Sequence, residues 1–503
     1  MTLDKSIERP ASELVARGLA IGRGHTVLIG GNWEAGQGDG LLCSVNPTTG
    51  EVLAEVAPAT REQASRAVLA ARAALNGSWG RMTPADRADV LSRFADTLEA
   101  HQKELEALIV TELGSPIATT RTMQVASPIA RLRFFADLAR RGPLGGWERY
   151  LPMGEGVPVS TSALLWSPAG VVTAITAYNF PLGIAVLKVG AALAAGCSVV
   201  LSSSPRTFLT SRAFVQLALD SGMPEGALNL VTGGIESSIE LTTHRAVDVV
   251  SFTGSSAVGA QIQAQAAATI KRVVLELGGK SPSVLLPGSP LRAAVTSSVR
   301  RFTRNAGQAC GATTRIIVPA ESYDEAAELC REVVDSLPVG DPWLDSTEVG
   351  PLIRSEQRES VEAVVNSAVD AGATILAGGG RPPGQAGFFM NPTVVGSVSN
   401  SAEICRHEMF GPVAVLLPYD DVDHALNIAN DTDFGLNAGV WGPLPEAIAF
   451  GRRIRSGTVA INGGGPSRAD MPWGGFGLSG VGRDGGEEGM REFLEVQHVH
   501  WPL

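Results

Sequence analysis

Two α/β domains, each built on a parallel sheet, form the fold class that this sequence predicts. Short β-branched runs alternate with helical segments between residues 168 and 311, and a second series of the same kind begins at residue 315. The length of 503 residues, at roughly 150 per domain, leaves room for both and for an accessory part. Hydrophobic residues at 44% and charged residues at 18% describe a chain with a large buried core, which excludes disorder or coiled coil as its main state.

In chain order, residues 1–25 read as an N-terminal extension with little to pack. From 27 to 56, alternating apolar residues and the turn Asn46-Pro47-Thr48-Thr49-Gly50 predict a β-hairpin-like meander. Residues 61–74 and 83–114 carry apolar residues at helical spacing, with Asp86, Arg87, Glu104 and Glu106 on the polar side, and read as long amphipathic helices. Next come strand-like runs at 170–175, 198–201, 227–231, 247–252 and 273–275, with helices at 184–195, 210–221 and 258–268 between them. That alternation predicts a doubly wound parallel sheet. The second series holds strands at 316–318, 414–417 and 458–461 and helices at 323–336, 355–371 and 422–430. Residues 463–489 contain 11 glycines in 27 positions, too dense for a regular element, and predict a long structured loop beside a site or interface.

The net charge of −11 comes with no long basic run, which argues against a nucleic-acid surface and for a small diffusible substrate. The most apolar stretch, 185–201, is broken by Lys188, Gly190 and Gly196, so it reads as buried core and no membrane span is expected. Residues 1–10 lack the apolar segment of a secretory signal. Cys43, Cys197, Cys310, Cys330 and Cys405 are widely spaced with no CxxC pair, which predicts a reducing, cytoplasmic setting and no metal centre.

Four segments could carry chemistry. Residues 251–259 run from a strand end through Gly254 and Ser255 to a helix start at Gly259, where free N–H groups attract phosphate; a tight βα turn would look the same. Cys310 stands among small residues, Gly307-Gln308-Ala309-Cys310-Gly311-Ala312, which leaves a thiol accessible as a nucleophile must be. Cys197 and Cys330 instead occupy apolar positions of inert thiols. Glu276 ends an apolar strand just before Gly278-Gly279, the setting of a general base or of a solvated strand-end carboxylate. Asn179 follows the strand at 171–175, where its amide can donate to an oxyanion or simply serve the turn at Phe180-Pro181.

Taken in order, these segments resemble the aldehyde dehydrogenase superfamily over roughly residues 27–499. The ordered set runs from Asn179 through Phe252–Gly259, 275–280, and 305–315 with Cys310 34 residues beyond Glu276, to Glu408-Met409-Phe410-Gly411-Pro412 and Pro472-Trp473-Gly474-Gly475. The resemblance implies NAD or NADP as cofactor and an aldehyde as substrate. It implies that Cys310 attacks the carbonyl, that Asn179 and the Cys310 N–H form the oxyanion hole, and that Glu276 activates water to hydrolyse the thioester. Lys188 matches a lysine that serves a proton relay or supports the oxyanion region. Thr176, Tyr178, Ser202, Gly234, Gly254, Ser255, Gly259, Glu408 and Phe410 match cofactor-binding positions. Phe180, Ile184, Leu187, Ala309, Gly311 and Trp473 match the substrate tunnel, mostly apolar, which favours a medium-sized hydrophobic or aromatic aldehyde; Arg304 could instead meet an anionic tail.

The family also implies a cofactor-binding domain at 26–141 and 162–277, a catalytic domain at 278–478, and an oligomerisation region at 142–161 and 479–503 that makes a homodimer or homotetramer. Three departures stand out. Ala177-Tyr178-Asn179 replaces Pro-Trp-Asn and Pro472-Trp473-Gly474-Gly475 replaces Pro-Phe-Gly-Gly, both keeping bulk. Where relatives carry Lys-Pro-Ser-Glu against the adenosine ribose, this chain has Ser202-Ser203-Ser204-Pro205, and loss of the carboxylate opens the site to a 2′-phosphate. Two rivals are a CoA-acylating semialdehyde dehydrogenase, which generally lacks the base that Glu276 matches, and a non-catalytic binding protein on the same fold.

Overall fold

The computed structural model describes residues 12–151, 160–464 and 468–502. The first of two large sheets has five parallel strands in the spatial order Arg272–Glu276, Val249–Thr253, Val171–Ile175, Ser198–Ser202, Leu228–Val231. The chain starts in the middle at Val171–Ile175, winds out to one side, then returns to build the other. This is the doubly wound order, and it reverses between Val171–Ile175 and Val249–Thr253, where a crevice opens beyond the carboxyl ends. Successive strand residues feed two different cores: Val172, Val199 and Leu201 join one apolar cluster, Val171, Val200 and Val250 another. Both faces are therefore covered, which explains the near-continuous apolar runs.

The second sheet has six parallel strands in the order Thr393–Gly396, Val413–Tyr419, Thr313–Pro319, Ser281–Leu285, Asn437–Trp441, Thr458–Ile461, with Thr374–Gly378 antiparallel at one edge. Antiparallel edges also make the first sheet mixed: Gly480–Val481 pairs with Arg272–Glu276, and Val27–Ile29 pairs with Leu228–Val231. A separate three-stranded sheet joins Glu148–Leu151, Ser160–Pro168 and Leu494–Pro502. Among the described residues no helix is long and apolar enough to cross a membrane.

Several local expectations are corrected. Of the extension 1–25, residues 12–25 are described, and Ser12–Gly22 is a packed helix: a Cβ on Gly18 would lie 2.6 Å from the Glu104 carbonyl oxygen, and Arg212 donates to the Ile21 carbonyl. The segment 27–56 is two units, one pair of strands entering the large sheet and Leu42–Val45 with Val52–Val56 forming its own hairpin across the expected turn. The helix expected over 83–114 is two, Pro84–Ala100 and Gln102–Leu113, broken at His101, where φ −105 and ψ 20 leave the helical range. Of the glycine-rich segment 463–489, residues 465–467 lie outside the described residues. The rest contains the edge strand Gly480–Val481 and the helix Gly486–Arg491, whose Met490 packs into the first core. Residues 479–493 thus build onto the first sheet, and within 479–503 it is Leu494–Pro502 that joins the three-stranded arm. Residues 152–159 of the arm 142–161 also lie outside the described residues.

Candidate active site

The two large sheets are joined directly by Leu277-Gly278-Gly279-Lys280, which leaves the strand Arg272–Glu276 of one and enters Ser281–Leu285 of the other. The glycine pair lets the backbone pass between two groups. A Cβ on Gly278 would lie 2.3 Å from Glu408 Oε2, and one on Gly279 would lie 2.8 Å from the Cys310 carbonyl oxygen. The bare Gly279 N–H donates to Glu408 Oε1 at 3.1 Å. Burial pushes Glu408 up to about 8, although this donor opposes it.

Cys310 follows a turn with three successive left-handed residues, Asn305, Ala306 and Gly307, at φ 53, 54 and 74. Two of them are not glycine, so the backbone is strained where function would need it positioned. The turn is held by its own polar groups: Asn305 Nδ2 donates to the Asn179 carbonyl at 3.0 Å, and Gln308 Oε1 accepts from Ile353 N at 3.0 Å. Asn179 Nδ2 in turn donates to the Gln308 carbonyl at 3.0 Å, while its buried Oδ1 has no partner. One of its two amide hydrogens is thereby used and the second remains.

Glu276 is 4% exposed, and Trp473 Nε1–H donates to its Oε1 at 3.0 Å. Burial raises its carboxyl to about 7, opposed by the nearby Cys310 thiol and by the hydrogen bond from Trp473. Burial, then the nearby Glu276 charge, pushes the thiol itself well above its usual value. The ring edge of Trp473 covers Gly311, where a Cβ would meet it at 2.8 Å, and the Gly311 carbonyl accepts from Asn437 Nδ2 at 2.7 Å.

Lys188 lies within a π-helical turn, Val186–Gly190, that interrupts the helix starting at Pro181. Such turns are common at functional positions. Its fully buried Nζ contacts Asp484 Oδ2 at 2.9 Å and Ser251 Oγ at 3.0 Å. This places the ammonium with Asp484, whose charge in turn acts on Glu276. Among the tunnel positions, Ile184 is buried, Phe180, Leu187 and Ala309 are half-buried, and Ile184 N donates to the Phe180 carbonyl at 2.8 Å.

The crevice at the reversal of strand order gathers the cofactor positions. Thr176 N donates to the Ser202 carbonyl at 3.1 Å, tying two adjacent strand ends. Ser255 caps the helix Ser256–Ala267 and Gly234 that of Ile235–Thr243, and a Cβ on Gly234 would meet nothing within 4 Å. Gly259 packs under Leu277, which a Cβ would approach to 2.7 Å. Thr253 Oγ1 is buried at the same edge without a partner. An open glycine at Gly234, two helix N-termini and an orphaned hydroxyl suit a dinucleotide phosphate, so these residues fit the cofactor. Tyr178 meets Phe410 edge-on at 5.8 Å, and Phe410 is left-handed at φ 54. Ser203 Oγ bonds Thr232 Oγ1 at 2.8 Å, Ser202 is buried, and the Arg206 guanidinium lies 5.9 Å from the Tyr178 ring centre.

Sequence reasoning missed Asp484, Asn305 and Gln308 as site residues. Asp484 lies among glycines and gives no local sign of burial; Asn305 and Gln308 both shortly precede Cys310, and their polar character was the available signal.

Residues 33–499 match the model of the aldehyde dehydrogenase family. The mitochondrial succinate-semialdehyde dehydrogenase of Arabidopsis thaliana is 38% identical over 94% of this chain and 88% of its own length. Geranial dehydrogenase of Castellaniella defragrans is 35% identical over 94% and 98%. The crystal structure of a cysteine-to-alanine variant of aldehyde dehydrogenase C from Pseudomonas syringae, complexed with NAD+ and octanal, superposes with a TM-score of 0.89 at 38% identity, covering 94% of this chain and 96% of that one.

Proposed function

The chain belongs to the aldehyde dehydrogenase family, is an NAD(P)-dependent aldehyde dehydrogenase, and from that membership we propose how its residues divide the reaction. The Cys310 thiol gives up its proton to water, and its sulfur adds to the aldehyde carbonyl and forms a thiohemiacetal. The free hydrogen of the Asn179 amide and the Cys310 N–H stabilise its alkoxide. A bound NAD(P)+ supplies the hydride acceptor that turns this adduct into a thioester. Thr176, Tyr178, Ser202, Gly234, Gly254, Ser255, Gly259, Glu408 and Phe410 would hold it. Glu276 then takes a proton from water, and the hydroxide adds to the thioester, displaces the Cys310 thiolate and gives the carboxylic acid. Lys188 and Asp484 set the field around Glu276.

The observation that carries this reading is that Trp473 bonds Glu276 Oε1 at 3.0 Å while its ring edge lies against Gly311, which brings the buried carboxyl to the loop of Cys310 at the junction of the two sheets. The test is an aldehyde panel with and without CoA on wild type, Cys310→Ala and Glu276→Gln. Cys310→Ala is expected to lose all turnover, and Glu276→Gln to keep a single burst of NAD(P)H while losing steady turnover by ~100-fold or more. Activity surviving Cys310→Ala, or strict CoA dependence, would overturn it.

The half-buried apolar set Phe180, Leu187, Ala309 and Trp473 supports a medium-sized hydrophobic or aromatic aldehyde. Arg304 supports a second reading, a substrate with an anionic tail: it is exposed, and no carboxylate pairs with it among the described residues. The panel therefore includes a semialdehyde acid. Homologues bind NAD+ or NADP+. Because residues 202–206 contain no acid and Arg206 pairs with no carboxylate among the described residues, NADP is accepted at least comparably to NAD; a hundredfold preference for NAD in kcat/KM would refute this. The three-stranded arm exposes Tyr150, Val496 and Val499, which supports a homodimer or homotetramer, to be read from the mass in solution. The free cysteines suit a reducing, cytoplasmic setting.

A further inference from the structure

Trp473 makes contacts that a tunnel wall does not need. Its indole N–H reaches Glu276 Oε1 at 3.0 Å, and its ring edge rests on Gly311, next to Cys310. Its backbone exchanges two hydrogen bonds with Asp484, at 2.6 and 2.7 Å, and the Asp484 carboxylate holds the buried Lys188. The indole is thus fixed from behind by the backbone and in front by the loop of the nucleophile. We propose that Trp473 is the positioning residue of the general base, pinning one oxygen of Glu276 so that the other faces the Cys310 sulfur and the hydrolytic water. This inference rests on the reading of Glu276 as that base.

The step at which the contact matters follows from the donors available. In the resting protein the Cys310 thiol and the Trp473 indole both favour the charged form of Glu276, the indole through a 3.0 Å hydrogen bond. Once the sulfur is acylated it has no hydrogen to donate, and the indole N–H is the donor that remains. That is the moment at which Glu276 must be ionised and aimed at water. The other groups acting on it divide: Asp484 disfavours its charge, Glu408 is a second carboxylate close enough to interact, and Lys188 favours the charge. A phenylalanine at this position would fill the space and cover Gly311 but leave ionised Glu276 without its donor.

The test compares wild type with Trp473→Phe and with protein in which the indole is replaced by a benzothiophene ring, which keeps the size and lacks the N–H. The rate of NAD(P)H formation in the first turnover reports acylation; rapid-quench release of carboxylate from the acylated enzyme reports hydrolysis. Both replacements are expected to leave the first-turnover rate within about twofold. The acid limb of hydrolysis is expected to move up by about one pH unit, which at pH 7 is a loss of about fivefold that recovers by pH 9. An unmoved acid limb, a loss independent of pH, or a change confined to KM would overturn the proposal. Because the isostere fills the same volume, it serves even if Trp473→Phe fails to fold. Glu276→Gln is the control: in that background the replacements should change nothing further, and if Glu276→Gln itself hydrolyses its acyl group at the wild-type rate, it is the assignment of the base that fails.

Discussion

Replacing Lys188 by Met should destabilise the protein more than its removal from water would suggest. The ammonium and Asp484 Oδ2 are 2.9 Å apart, with side chains 0% and 2% exposed. Asp484 Oδ1 already has no hydrogen-bond partner, so without Lys188 the carboxylate is left buried with no cation. Breaking a buried pair from one side costs ~3–5 kcal/mol. For a chain of 503 residues, an unfolding entropy of about 2.1 cal/mol/K per residue amounts to about 1 kcal/mol/K. The expected fall in Tm is therefore about 3–5 °C by calorimetry at fixed scan rate. Lys188→Met combined with Asp484→Asn removes both charges and should recover most of it. The same pair acts on the base with opposite signs, since Lys188 lowers and Asp484 raises the Glu276 pKa. The acid limb of hydrolysis should move up in Lys188→Met and down in Asp484→Asn. A Tm within 1 °C of wild type in the single variant, or a double variant as unstable as the single, would refute the argument from the buried pair.

Three further outcomes can be measured. With Glu276 at about 7, hydrolysis needs the ionised form, so its rate should fall as pH drops through that value, by about tenfold between pH 8 and pH 6 in rapid-quench assays. Asn179→Ala removes the amide donor and should lower kcat by about 100- to 1000-fold with little change in Tm. Glu112 accepts from Ser44 Oγ, Leu209 N, Thr210 N and Thr210 Oγ1 at 2.6–3.1 Å, so Glu112→Gln strands donors at the start of the helix Phe208–Asp220. A loss on the order of 2 kcal/mol, or about 2 °C in Tm, is expected, together with a higher KM for the dinucleotide, because that helix follows the Ser202–Ser204 segment.

What was legible in the sequence shares one property: its signal is local. The alternation of strands and helices around 170–275 reports burial on two faces, and the clusters to which Val171 and Val172 go bear this out. Cys310, Glu276 and Asn179 stand beside glycines or just past strand ends, where a polar side chain has little structural reason to be. The features that escaped are made by distance. Asp484 reaches Lys188 across 296 positions, and nothing in Gly482-Arg483-Asp484-Gly485 distinguishes a buried ion-pair partner from a polar loop residue. The break at His101 escaped because Leu98 and Leu105, on either side of it, pack into the same core, so the apolar period continues through a backbone that does not. The helix Ser12–Gly22 escaped because its closest approach is made by glycine: Gly18 meets the Glu104 carbonyl and Gly22 the Leu209 backbone, and a glycine leaves no apolar mark in the sequence. Trp473 combines both cases. Its bulk is local and marks a wall, while its N–H acquires meaning only when the chain, 197 residues after Glu276, returns to lay an edge strand against the strand that Glu276 ends. A substitution that preserves bulk is therefore not neutral where the lost atom is a donor to a buried carboxylate. That distinction separates a tunnel lining from a part of the base.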